Sequence, residues 1–206
     1  MIFEEERKLV AQIMRRLYDR GLTTSTGGNV SVRNTDGYIF ITASQCDKSN
    51  IDENQIVVIN KNFELLTTEL KPSMETEMHI KIYQKRPDIS AIVHAHPVFA
   101  TSFAVSEVKL DTFILEEARY ILGEITVLEH KSSGSSELAR VCSEGLEKYN
   151  AGLLKNHGAI TLGKDLTEAF ARMEVLEFTA RVNFNGYMLK NKKISHNAKF
   201  RYISKT

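Results

Sequence analysis

Apolar positions along the chain follow helical spacing in some segments and strand spacing in others. Over residues 4–20 they recur every three or four residues, with acidic residues in the first turn and Gly21 just past the end, which predicts an amphipathic helix. Helical spacing returns over 72–85, 135–149 and 166–189. The second of these four helices is expected to open at Pro72, with Ser73 capping its first N–H groups.

Shorter apolar runs bounded by turn residues predict the strands. Residues 30–33 and 38–42 flank the turn Asn34-Thr35-Asp36-Gly37 and predict a hairpin. Further strand segments are expected at 56–59, 91–96, 125–128 and 152–162. The stretch 89–106 has no Asp, Glu, Lys or Arg but contains histidines and hydroxyls. We therefore interpret it as buried core whose polar side chains have a role, and not as a membrane span. Helices flanking hairpin-like strands predict an α/β sandwich and not a doubly wound nucleotide fold.

Length and composition predict a single domain with no marked excess of either charge. The 206 residues are 42 % hydrophobic and 26 % charged, with no linker or repeat, so a single domain over 1–206 is expected. A formal net charge of +1 argues against nucleic acid as the main partner. Cys46 and Cys142 are too few for a disulfide framework, and the charged start is not a secretory signal. These features predict a cytoplasmic protein without a membrane partner.

Three histidines and one glutamate give the strongest chemical signal. His94 and His96 are two apart in a predicted strand, so both imidazoles can face one cation. His157 lies where a strand turns sharply, and three histidines suffice for an open zinc site. Glu75, in the first turn of the predicted helix, can ligate such an ion or exchange protons with a substrate. A His-x-His pair alone is as often structural as functional, but the additional His157 and Glu75 favour a metal.

A second group of residues suits a phosphate. The bend at Gly27-Gly28-Asn29 offers backbone N–H groups, Thr42 and Ser44 supply hydroxyls, and Ser73 stands at the predicted helix N-terminus. Taken alone, these residues are explained more simply by a turn and a helix cap. The remaining histidines are expected to be solvated or packed, and the cysteines carry no expected redox or nucleophilic role: His79, His130, His196, Cys46 and Cys142.

Five motifs, in this order, resemble the class II aldolase/adducin family. They are Thr26-Gly27-Gly28-Asn29, Lys71-Pro72-Ser73-Met74-Glu75-Thr76-Glu77-Met78-His79, Arg86-Pro87-Asp88, His94-Ala95-His96-Pro97 and Asn156-His157-Gly158-Ala159. The resemblance covers nearly the whole chain and is closest to the fuculose-1-phosphate aldolase branch. It implies a three-layer α/β/α sandwich around a mainly antiparallel sheet, assembled as a cyclic homotetramer with active sites between subunits.

The resemblance also implies roles for individual residues. His94, His96 and His157 match the zinc ligands of the family, and Glu75 matches the carboxylate that ligates Zn²⁺ in the empty enzyme and then acts as general acid/base. The substrate-phosphate positions fall on Gly28, Asn29, Ser44, Gln45, Ser73 and Met74. The implied reaction cleaves a ketose 1-phosphate of the fuculose 1-phosphate type to dihydroxyacetone phosphate and a small aldehyde such as lactaldehyde.

The chain departs from the family pattern at three positions. Gln45 and Met74 stand where members often have Gly and Ser, which places more of the phosphate contact on backbone N–H groups. Leu115 falls where the aldolase branch contributes a tyrosine from a neighbouring subunit. The donor of a proton to the leaving aldehyde therefore stays open among Glu116, Glu117 and Tyr202.

Several other functions stay open on the same residues. Within the fold they are a sugar-phosphate epimerase, dehydratase or decarboxylase, and a non-catalytic adducin-like interaction domain. Glu75 favours the aldolase over the epimerase branch, which tends to carry Asp there, and the retained histidines argue against the adducin-like domain. A zinc hydrolase in which Glu75 activates water is an alternative outside the family.

Overall fold

A seven-stranded sheet forms the centre of the computed structural model, which describes residues 3–191. The strands are β1 (Asn29–Arg33), β2 (Ile39–Thr42), β3 (Ile56–Ile59), β4 (Ala91–Ala95), β5 (Thr126–Leu128), β6 (Ala151–Leu154) and β7 (Gly158–Gly163). Their order across the sheet is β3-β2-β1-β4-β7-β6-β5. Neighbours run antiparallel except β5 and β6, which are parallel. The sheet is therefore mixed, with antiparallel pairing predominating.

Helices cover both faces of this sheet. In the described part of the chain they are α1 (Glu4–Asp19), α2 (Thr76–Lys85), α3 (Val98–Ser106), α4 (Glu116–Ile121), α5 (Ser136–Gly145) and α6 (Leu166–Asn191). Helices α2 and α5 pack against each other, whereas α6 packs on β4 and β7 and also contacts α1, α3 and α4. This arrangement confirms the expected three-layer α/β/α sandwich.

The alternation of side chains along β1 decides where polar groups can gather. Successive side chains of a strand point to opposite faces of its sheet. Asn29 and Ser31 point towards α2, where they hydrogen-bond to Glu75 and His79, and Val30 is buried on the opposite face. A polar pocket can therefore form under the N-terminal end of α2, while the other face of the strand contributes to an apolar core.

The helix expected to open at Pro72 begins later, at Thr76. Pro72 instead forms an isolated antiparallel bridge with Ala43, which holds the preceding segment extended along the end of β2. Ser73 is consequently not the N-cap; that position belongs to Glu75. The Ser73 hydroxyl accepts a bond from the Glu75 N–H at 3.3 Å, so Ser73 shapes the turn that presents the glutamate.

The charge-free stretch 89–106 is only partly buried, so its interpretation as core was wrong for its second half. Strand β4 is buried along its whole length. The residues after Pro97 form α3, on which Val98 and Val105 are 63 % and 57 % exposed. The apolar composition of this helix therefore reflects an exposed face. No helix between residues 3 and 191 combines the length and apolar character needed to cross a bilayer.

The segment 152–162, predicted to have strand character with a sharp turn at His157, forms two strands. A tight turn interrupts it, and Asn156 adopts the left-handed conformation there with φ 54°. Strands β6 and β7 pair antiparallel across this turn. The turn carries His157 to the edge of the site.

Candidate active site

Strand pairing and one helix start bring the predicted residues together. In the sheet, β4 lies between β1 and β7, so His94 is flanked by Asn29 and Ile160. His96 follows directly after β4, and His157 precedes β7. Glu75 is the N-cap residue of α2. Each side chain is thus held at the end of a regular element, where the backbone position is well defined.

The four side chains form one compact group. The Nε2 atoms of His94 and His96 are 3.2 Å apart, and the His94 and His157 ring centroids are 4.7 Å apart. One ring nitrogen from each histidine lies within 4.8 Å of the others. Glu75 completes the group, because its Oε2 is 3.2 Å from His94 Nε2 and its Oε1 is 3.2 Å from His157 Nε2.

Two glycines allow the backbone to approach the imidazoles this closely. Gly28 has φ +69°, and a Cβ there would lie 2.7 Å from the carbonyl oxygen of His94. At Gly158 a Cβ would lie 2.5 Å from the carbonyl oxygen of Ala95 and 2.6 Å from His96 Cδ2. All three distances are too short for a side chain, so the site requires glycine at these positions.

The electrostatics of the group keep the imidazoles of His96 and His157 neutral. Burial, helped by the neighbouring His94, lowers the pKa of both His96 and His157 to about 4. Burial by itself would raise the pKa of Glu75, but His94, the Asn29 amide and His157 together hold that pKa below its ordinary value. At neutral pH the site therefore combines a carboxylate with imidazole lone pairs, which is the state in which these groups bind metals.

The residues present fit a divalent metal ion. His94 Nδ1 lies 2.9 Å from the carbonyl oxygen of Ala159, so in the neutral ring this nitrogen donates and Nε2 keeps its lone pair towards the group. Among the described residues, Glu75 Oε1 and His157 Nδ1 are buried without a hydrogen-bond partner. Three imidazoles and a carboxylate are ligands typical of zinc and of neighbouring transition metals.

A cavity of about 150 Å³ lies beside the cluster. Glu75, His96 and His157 line it, while His94 is fully buried behind them. All the residues expected at substrate-phosphate positions also line this cavity: Gly28, Asn29, Ser44, Gln45, Ser73 and Met74. The residues predicted as phosphate contacts therefore line the same cavity as Glu75, His96 and His157.

Two polar lining residues, Lys48 and Ser133, were not predicted from the sequence. Lys48 is the one Lys or Arg that the described structure places on the cavity wall, and its side chain is buried. Its ammonium donates to the Ala43 carbonyl at 3.0 Å and contacts Cys46 Sγ at 3.1 Å. Ser133 is the other, with its hydroxyl 3.4 Å from His157 Nε2. Both lie in irregular loops, where a lysine or serine gives no local signal of a place on a cavity wall.

Two of the three candidate proton donors lie away from the cavity. Glu116 and Glu117 are exposed at the start of α4, and neither lines the cavity. Tyr202 and His196 lie outside the described residues. His130 is exposed, whereas His79 is fully buried and packed, in agreement with its expected role as a non-ligand.

Comparison with known proteins gives a consistent result. A family model described as the Class II Aldolase and Adducin N-terminal domain matches residues 8–184. The chain is 36 % identical over 182 residues to an L-fuculose phosphate aldolase of Methanococcus maripaludis, covering 88 % of this chain and 96 % of that protein. It is 30 % identical over 195 residues to a 3-oxo-tetronate 4-phosphate decarboxylase of Haemophilus influenzae, covering 93 % and 91 %.

A solved structure of an L-fuculose 1-phosphate aldolase resembles the fold with a TM-score of 0.83. The two chains are 31 % identical, over 92 % of this chain and 89 % of that one. The chain therefore belongs to the class II aldolase/adducin family, which confirms the resemblance seen in its motifs. Within that family it is an enzyme of the class II aldolase superfamily, whose members similar to this chain include aldolases and decarboxylases.

Proposed function

We propose that the protein is a zinc-dependent aldolase that cleaves a ketose 1-phosphate, of the fuculose 1-phosphate type, to dihydroxyacetone phosphate and a small aldehyde such as lactaldehyde. The observation that carries this proposal is the shared cavity. Its lining includes Glu75, His96 and His157 and also the Ser44 and Ser73 hydroxyls and the buried Lys48. A sugar phosphate needs both kinds of residue in one cavity, because its carbonyl and its phosphate are at separate positions along the molecule.

The proposed chemistry assigns proton transfer to Glu75. Zn²⁺ held by His94, His96 and His157 would stabilise the negative charge that carbon–carbon cleavage places on the carbonyl side of the substrate. The Glu75 carboxylate would exchange a proton at the carbon next to the carbonyl, for which its buried position and its ionised state at neutral pH are suited. No Schiff-base lysine is required in this scheme.

The phosphate would bind at the Lys48 side of the cavity. The Ser44 and Ser73 hydroxyls and the N–H groups near Gly28 are neutral donors, and Lys48 adds a positive charge to which no carboxylate between residues 3 and 191 is bonded. A buried cation of this kind is stabilised when an anion occupies the neighbouring space. Binding at the phosphate would then hold the reacting carbons against Glu75.

Replacing Ser73 with Asp tests the phosphate position. We expect the KM for a phosphorylated ketose to rise about tenfold or more, because like charges at contact distance in a partly buried site repel by more than ~1 kcal/mol. Thr35→Asp is the control, since it adds the same charge in the exposed β1–β2 turn, at the other end of β1 from Asn29. An unchanged KM in Ser73→Asp, or equal use of the unphosphorylated sugar, would place the phosphate elsewhere.

A decarboxylase acting on a 3-oxo acid phosphate is the second candidate, favoured by the similarity to the Haemophilus influenzae protein. Both reactions break a carbon–carbon bond at the carbon next to a carbonyl group. Both therefore leave negative charge on that carbon and the carbonyl oxygen, which the same site can stabilise. Two assays distinguish the two reactions. A panel of ketose 1-phosphates is tested by coupled detection of dihydroxyacetone phosphate, and 3-oxo acid phosphates are tested by release of carbon dioxide. Carbon dioxide release without aldol cleavage would replace the proposal by this candidate.

We also propose that the active form is a homotetramer with sites between subunits. The exposed start of α4 supports this, because Glu116 and Glu117 can serve a neighbouring site only if α4 lies at an interface. We expect light scattering to give four times the mass of the chain at assay concentration. A monomeric mass with full activity would contradict the assembly. The cytoplasmic location and the absence of a nucleic-acid partner stay predictions from composition.

Mixing two inactive variants tests whether sites are shared. If Glu116 or Glu117 donates the proton to the leaving aldehyde, Glu75→Gln mixed with Glu116→Gln or Glu117→Gln should regain activity after subunit exchange. Each mixed interface can then combine an intact Glu75 with an intact glutamate from the neighbour. Mixing Glu75→Gln with itself is the control. If neither mixture recovers activity, neither glutamate is a shared donor.

A further inference from the structure

A continuous chain of buried polar side chains runs inward from Glu75. Asn29 Nδ2 lies 2.8 Å from Glu75 Oε2, and Asn29 Oδ1 lies 2.6 Å from His79 Nε2. His79 Nδ1 is 2.7 Å from the Ser31 hydroxyl, which is 2.8 Å from the Tyr83 hydroxyl. All of these residues are at most 6 % exposed. The proposed reaction assigns a role to Glu75 and Asn29 but none to the three residues behind them.

The orientation of the Asn29 amide fixes the direction of the hydrogen bonds in this chain. Its NH₂ group donates to Glu75 Oε2, so its carbonyl oxygen faces His79. His79 Nε2 must then carry a hydrogen. The ring is fully buried and, among the described residues, hydrogen-bonds only to the neutral Asn29 and Ser31 side chains, so it is neutral and its Nδ1 accepts. The imidazole is thus confined to one tautomer.

The same reasoning extends to the inner end of the chain. Because His79 Nδ1 accepts, Ser31 must donate to it, and the Ser31 oxygen is left to accept from Tyr83. Burial raises the pKa of Tyr83, so its phenol keeps the required proton. In the described part of the chain, the other acceptor that this phenol contacts is the Ser90 carbonyl, at a longer distance of 3.3 Å. Donors therefore all point from Tyr83 towards Glu75.

We propose that His79 is a positioning residue, which acts through Asn29 to hold Glu75 Oε2 as a hydrogen-bond acceptor and to leave Oε1 facing His157 and the cavity. The asymmetry of the two oxygens supports this assignment. Oε2 accepts the Asn29 bond, whereas Oε1 is buried without a hydrogen-bond partner among the described residues. The inference rests on the proposed function, because it assigns a support to the group that would transfer the proton.

Two substitutions of His79 separate positioning from packing. His79→Gln can still place an N–H near the Asn29 carbonyl, whereas His79→Leu removes the donor and leaves that carbonyl unpaired. We expect His79→Leu to lower kcat about 10- to 100-fold, as loss of an outer partner of a metal or catalytic ligand commonly does, with little change in KM. We expect His79→Gln to recover a large part of kcat. Equal loss in both variants, or an unchanged kcat in folded His79→Leu, would overturn the proposal.

A milder variant keeps the test decisive if His79→Leu does not fold. Ser31→Ala removes the hydroxyl that holds His79 Nδ1, and it should lower kcat more than Ser143→Ala does. Ser143 is a matched control, since it is a buried serine that bonds the Arg140 carbonyl within α5. Equal kcat in the two alanine variants would overturn the proposal.

The tautomer gives a readout that does not depend on activity. Nitrogen NMR of the histidine side chains, with the His79 signal assigned from the His79→Gln spectrum, should show Nε2 protonated and Nδ1 unprotonated. The opposite tautomer would reverse the hydrogen-bond direction and overturn the inference.

The proposals for Glu75 and for His79 can be contradicted independently of each other. If Glu75→Gln keeps normal activity, the proposed function of Glu75 fails whatever His79 does. If Glu75→Gln is inactive and His79→Leu keeps its kcat, only the inference about His79 fails.

Discussion

Replacing Glu75 with Gln is expected to lower kcat by about 10² to 10⁴, the usual contribution of a positioned general acid or base. The amide keeps the shape of the side chain and can still offer an oxygen to Asn29, but it cannot take up a proton. Substrate binding should change much less, because the lining residues proposed to contact the phosphate, including Ser44, Ser73 and Lys48, are unaltered. The measurement is kcat and KM at saturating Zn²⁺, with the metal content of each sample determined.

Proton exchange isolates the step assigned to Glu75. Wild-type protein should exchange the hydrogen of dihydroxyacetone phosphate that is removed in the aldol direction, and Glu75→Gln should not. Glu77→Gln is the matched control, because Glu77 lies in the first turn of the same helix, half-exposed and paired with Lys81. Wild-type exchange in Glu75→Gln would show that another residue is the base.

The regular elements of the fold were predictable wherever one local pattern decided the outcome. The first helix, the hairpin of β1 and β2, and strand β4 lie close to the positions that periodicity and turn residues indicate. The start of α2 was not predictable in this way. Pro72 and Ser73 have a favourable local pattern for a helix start, but pairing of Pro72 with Ala43 outweighs it, and Ala43 is distant in sequence.

The site was predictable to the extent that its residues carry a chemical signal of their own. Histidines two apart in a predicted strand, a third at a strand turn and a glutamate in the first turn of a predicted helix together favour a metal centre without a structure. Lys48 carries no such signal, because its burial depends on how a loop folds against β2. The position of His79 did carry a signal, since it lies four residues after Glu75 and thus on the same side of the helix. Which strand residues it would meet there depended on the pairing of β1 with β4.

The group of three histidines is expected to determine metal binding and activity together. Purified protein should hold about one Zn²⁺ per chain, since three imidazoles and a carboxylate make a complete protein ligand set for that ion. His94→Ala and His157→Ala should each lose most of the metal and most of the activity, because each removes one of the three imidazole ligands. Elemental analysis of dialysed samples measures the first effect, and the aldolase assay measures the second.

Exposed His130 supplies the control, and thermal unfolding supplies a readout that is independent of turnover. His130→Ala should keep its metal, because this side chain lies outside the cluster. Zn²⁺ at about 100 times its Kd should stabilise the wild-type fold by about 2.7 kcal/mol, since an ion that binds the native state alone shifts the unfolding equilibrium. His157→Ala should show little of this stabilisation at the same concentration. Full activity after exhaustive chelation, or equal stabilisation of wild type and His157→Ala, would contradict the metal assignment.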